Sequence, residues 1–241
     1  MATLDIRYTI RLAGDREEVF DVRLDEETLE ILCCIPESAP AWTALGYEQC
    51  PNCPLDENTH PHCPLALGIA GIVQRFDDVI SYDEVELDVE TRNRHVSART
   101  TSQRALRSLL GLVIAGSGCP HTAFFKPMAR FHLPLASESE TVARAVGTYL
   151  TAQLLLREHG GTGDLDLAGL DAIYREMQVV NVATAKRLRA ATKADSALNA
   201  VALLDIYAQT VPFSIRDKLA EIRAPYGAFL RARTRTLPGS S

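Results

Sequence analysis

Leu4, Ile6, Tyr8, Ile10 and Leu12 alternate with polar neighbours, and Phe20, Val22 and Leu24 resume that period after Ala13-Gly14-Asp15-Arg16. A period of two sets one face of a strand on a core, so the opening predicts a β-hairpin with one buried face. Leu29 to Ile35 reads as a third strand stopped by Pro36, and the chain through Pro40, Trp42 and Gly46 reads as irregular. Pro64 suits the first position of a helix in which Leu65, Ile69, Ile72, Val73 and Phe76 share one side. Val85, Leu87 and Val89 then alternate with acidic residues, the chain turns near Arg92-Asn93, and Val96 and Ala98 carry the alternation on as a second hairpin. Leu106, Leu109, Leu110, Val113 and Ile114 belong to a second helix, capped at Ser102 and stopped at Gly116-Ser117-Gly118.

The rest of the chain has helical spacing. Ser137 and Glu140 form a capping box ahead of Val142, Val146, Tyr149, Leu150 and Leu154, and Gly160-Gly161 ends that helix. A further helix is expected from Leu167 to Ala190 with Leu170, Ile173, Met177, Val180 and Leu188 inward, followed by helices from about Asp195 to Gln209 and from Ser214 to Ile222. The expected fold class is α+β: an antiparallel sheet from two β-hairpins packed with helices, then a C-terminal, bundle-like helical half. Residues 1–135 form the first half, residues 136–230 pack on it as part of one continuous domain, and residues 231–241 are expected to be a flexible tail.

With 241 residues and 46% hydrophobic content, the chain can bury a large core. A net charge of -6 argues against tight, sequence-independent binding to nucleic acid or anionic lipid. No secretory signal opens the sequence, and no apolar run is long enough to cross a bilayer, so a cytoplasmic protein is expected, with room for a protein partner of unknown identity. In a reducing compartment the six cysteines read as thiols and metal ligands.

Four of those six are followed by proline: Cys50-Pro51, Cys53-Pro54, Cys63-Pro64 and Cys119-Pro120. Proline stiffens the turn after a thiolate and leaves the next amide free to point back at sulfur. Cys50-x2-Cys53 is a half-site in which one tight turn aims two sulfurs at a single ion, and Cys63 precedes a helix N-terminus that favours a thiolate. Counting chain reversals brings the end of the second helix, and with it Cys119, to the start of the first. Four thiolates close a tetrahedron and leave no position for water, so a structural zinc site at Cys50, Cys53, Cys63 and Cys119 is expected; an iron-sulfur cluster is the alternative. Cys33 and Cys34 read as core packing.

Either His60 or His62 could replace Cys119 in a three-cysteine, one-histidine set, and His121 could orient a ligand from behind. His132, flanked by Phe131 and Leu133, reads as a buried, hydrogen-bonded histidine, with a metal-dependent hydrolase as the rival reading. Asn181 and Asn199 sit on helices and could bind a ligand, although hydrogen bonds that fix helix register are the expected role. No phosphate loop, nucleophile elbow or dinucleotide fingerprint occurs, so no catalytic residue is assigned. The segments Gln49-Cys50-Pro51-Asn52-Cys53-Pro54-Leu55, His62-Cys63-Pro64-Leu65-Ala66, Ser117-Gly118-Cys119-Pro120 and Phe131-His132-Leu133-Pro134 together resemble an uncharacterised bacterial family, a domain of unknown function, over nearly the whole chain. That resemblance implies a bacterial source and no activity. The expected role is a metal-stabilised, non-enzymatic binding or regulatory protein; the competing role is an iron-sulfur or thiol-based redox sensor.

Overall fold

Strict alternation gives two long strands, β1 (Thr3–Arg11) and β2 (Glu17–Asp25), antiparallel in a register that sets Ile6 opposite Val22 and Tyr8 opposite Phe20. Gly14 and Asp15, both at positive φ, turn the chain between them. β3 (Glu84–Thr91) pairs with the other side of β1, and β4 (Arg94–Thr101) returns antiparallel to β3 across the Arg92-Asn93 turn, giving the order β2-β1-β3-β4. A computed structural model describes residues 2–33, 38–191, 195, 199, 201–202 and 223–234.

One face of the sheet is apolar and buried, through Ile6, Tyr8, Ile10, Phe20, Val22, Leu24, Val85, Leu87 and Val89. The other is a charged ladder: Arg7 pairs with Asp21, Arg23 with Asp5, Arg11 with Glu17 and Asp88, and Arg99 with Glu86. Helices α1 (Pro64–Arg75) and α2 (Ser102–Ala115) cover the apolar face. Gly68 lets them approach: a Cβ there would lie 3.3 Å from Val113 Cγ1 and 3.8 Å from Ser117 Cβ. Because Gly68 is in the first half of α1 and Ser117 lies just past α2, the end of α2 sits beside the start of α1.

After α2 come a 3-10 turn over Pro120–Phe125, the short α3 (Lys126–Arg130), α4 (Glu138–Glu158), α5 (Ala168–Ala191) and, later, α6 (Gly227–Thr234). The capping box starts α4: the Glu140 amide donates to Ser137 Oγ over 3.3 Å, and the Ser137 amide donates to Glu140 Oε2 over 2.8 Å. Helix α5 joins two apolar clusters. Leu170 and Tyr174 pack with Val142, Val146 and Tyr149 of α4, whereas Met177, Val180 and Leu188 join the sheet and its helices. No single described helix is long and apolar enough to span a membrane.

The α+β expectation holds, with differences in detail. Leu29–Ile35 is not a strand among its described residues: Ile31 makes one bridge to Leu24, and Leu29 takes a positive φ that breaks extension. Leu150 and Leu154 are exposed, since the buried stripe of α4 ends at Tyr149. Helix α6 runs through Arg231 to Thr234, where a tail was expected. Cys34 and most of the span from Asp195 to Ile222, with the two helices expected there, lie outside the described residues.

Candidate functional site

The four Cys-Pro cysteines sit where the irregular segment before α1 meets the end of α2. The Cys53 amide donates to the Cys50 carbonyl over 2.9 Å, closing the tight turn that the two-residue spacing calls for. Cys63 is the N-cap of α1, anchored by its amide to the Thr43 carbonyl at 2.8 Å. Cys119 is the N-cap of the turn after α2, where its carbonyl accepts from both the amide and the hydroxyl of Thr122. Gly118 takes φ +80°, and a Cβ there would lie 3.9 Å from Pro64 Cβ, so the residues beside Cys119 and Cys63 abut.

Electrostatics link all four. Burial, and then repulsion from Cys63 and Cys53, pushes the Cys50 thiol up to about 11. Burial also pushes Cys119 up to about 12, where the His121 amide pulls the other way and Cys63, Cys50 and Cys53 add repulsion. All four are free, half-buried thiols, and Cys50, Cys63 and Cys119 pack against the main apolar cluster. Among the described residues no three His, Cys, Asp or Glu side chains are posed as a group that would hold a metal ion. The sulfurs are thus near enough to repel one another as thiolates, yet they are not drawn together as ligands.

The histidines have other partners. His62 Nδ1 bonds Thr43 Oγ1 at 2.9 Å, and exposed His60 bonds Thr59 Oγ1 at 2.9 Å. His121 Nε2 donates to the Asn52 carbonyl at 2.8 Å, tying the Cys119 turn to the middle of the Cys50–Cys53 turn, and Asn52 Nδ2 bonds Glu176 of α5. Cys33 is elsewhere: its thiol donates to the Asp21 carbonyl beside β2, at 3.1 Å.

Sequence reading missed Arg187. This buried residue of α5 donates to the carbonyls of Trp42 at 2.9 Å, Ala44 at 2.7 Å and Leu45 at 2.8 Å, and its charge reaches Cys50. Among the described residues it has no carboxylate partner. Its signal was available, because Arg187 falls seven residues after Val180, on the buried stripe of α5.

His132 is bonded, as the structural reading expected. Its Nε2 meets the Tyr8 hydroxyl, which also bonds Ser108 Oγ at 2.8 Å, and Ser108 Oγ accepts from the Leu135 amide at 3.2 Å. Although the residue as a whole is half-buried, its imidazole sits deep enough that burial, followed by repulsion from Arg144, pushes it down to about 3. Tyr8 is likewise raised by burial, so this chain stays uncharged at neutral pH.

One family model, described as a domain of unknown function, DUF6901, matches residues 6–227. No curated protein and no solved structure matches the chain.

Proposed function

We propose, starting from the fact that this chain belongs to the DUF6901 family, that it is a zinc-binding protein in which Cys50, Cys53, Cys63 and Cys119 form a closed, structural four-thiolate centre. What supports this most is the meeting of four thiols from two distant segments beside a buried guanidinium with no described carboxylate partner. A zinc ion with four thiolates carries two net negative charges, and Arg187 supplies an opposite charge next to Cys50. The His121 amide directed at Cys119, and the His121 ring on Asn52, would hold the two halves of the ligand set in register.

Bound zinc would cross-link the segment before α1 to the end of α2 and lower the thiol pKa values that burial now raises. A closed set leaves no open coordination position, which favours a binding or regulatory role over catalysis. The free state of the described cysteines suits a reducing cytoplasm. Metal analysis of protein purified without added metal tests the reading, with one zinc per chain and X-ray absorption showing four sulfurs at about 2.3 Å as the expected result. Stoichiometric iron with visible charge-transfer bands, nitrogen or oxygen in the first shell, or a metal-free folded protein would overturn it.

A further inference from the structure

A second site lies away from the cysteines, between α2, the α3 turn, α4 and α5. The cavity there holds about 180 Å³ and is walled mainly by Leu112, Ile114, Phe125, Met128, Leu135 and Met177. Its scale is that of a single ring: an engineered apolar cavity of about 150 Å³ accepts benzene. Two guanidiniums, Arg107 and Arg144, line it, and among the described residues no carboxylate does. Arg144 donates through Nη2 to the carbonyls of Met128 at 2.7 Å and Phe131 at 3.1 Å, which leaves further N–H donors on the fork. The carboxylate acting on it is that of Glu140, one turn earlier on α4, which is taken by the Ser137 amide and hydroxyl.

Two polar side chains on α5 also line the cavity, Tyr174 and Asn181, each 4% exposed and neither hydrogen-bonded to any described residue. Both offer polar atoms to a molecule held in the cavity. His132 lines the cavity as well. Its Nε2 is bonded to the Tyr8 hydroxyl, which also bonds Ser108 Oγ. The wall is therefore mainly apolar, with a few polar side chains and two guanidiniums.

We infer that this cavity binds a small monocarboxylate with a compact apolar body, aromatic or branched, its carboxylate on Arg144 and Asn181 and its body against Met128 and Met177. Recognition of the carboxylate would use the planar fork of the guanidinium. The site is independent of the zinc proposal and would stand if that failed.

The methionines suit a test, since Met128 and Met177 line the cavity. Methionine-methyl NMR of the full chain, titrated with benzoate and separately with benzamide, should show saturable shifts at Met128 and Met177. Benzoate should bind at least tenfold more tightly than its neutral isostere. Arg144→Gln should weaken benzoate at least tenfold and leave benzamide unchanged. If that variant fails to fold, the wild-type comparison still decides. Absence of shifts at both methionines up to about 10 mM benzoate, or equal affinity for the two probes, would overturn the inference.

Discussion

Arg187 and His132 are both charged or chargeable side chains kept inside, and each makes a separable prediction. Three main-chain carbonyls depend on the Arg187 guanidinium, so Arg187→Met should leave them buried without donors and destabilise the fold by about 3 kcal/mol or more. Arg187→Lys should recover only part of that, because an ammonium cannot present the same fork. Urea denaturation checks this through a lowered midpoint at unchanged slope; a midpoint within error of wild type would show that the carbonyls find other donors. For His132 the sign follows from a folded pKa pushed down to about 3, below the roughly 6.5 of an unfolded histidine. The unfolded chain binds the proton first as pH falls, so the contribution is whole above about 6.5 and is lost progressively down to about 3. Stability should drop by at most about 2 kcal/mol between pH 7 and pH 5, and His132→Gln should flatten that slope even if it lowers the plateau. Parallel slopes in the two proteins would mean that His132 keeps an ordinary pKa.

At the scale of elements, local rules wrote most of what is observed. The capping box that opens α4 satisfies two end groups of the helix, and Ser137→Ala should cost about 1 kcal/mol, measured as a lowered thermal midpoint with the strands intact by circular dichroism. An unchanged midpoint would mean that tertiary packing alone sets the start of α4. The two hairpins, α1, α2, α4 and α5 were legible because each buries one face, and one buried face imposes a period of two or of 3.6. Where burial stops, the signal misleads. Leu150 and Leu154 continue the α4 stripe past its last buried residue, and Leu29 to Leu32 are apolar enough for a strand while Leu29 adopts a positive φ that breaks extension. Asn181 shows the limit from the other side: spacing put it on the buried face of α5 but could not say that it would line a cavity.

The whole molecule turns on whether the two halves of the cysteine set act as a single cross-link. That Cys119 would come round to Cys63 was legible from the direction of four successive elements, and the contact of Gly118 with Pro64 matches that count. The stripe of α5 marked Arg187 as buried, but not that it would lie beside the set, because it reaches the Cys50 segment from a helix far along the chain. If a zinc ion joins these parts, it binds the folded chain alone, and saturation at about a thousand times its dissociation constant stabilises the fold by about 4 kcal/mol. For a domain of this length that corresponds to about 8–16 °C in thermal midpoint, which treatment with a strong chelator should remove and added zinc restore. Cys119→Ser should reproduce the loss and make the protein indifferent to chelator, whereas Cys33→Ser, at a thiol bonded beside β2, should keep the full response. A wild-type midpoint that ignores both chelator and zinc, with Cys119→Ser equally silent, would reduce the four thiols to small apolar side chains packed where two segments meet.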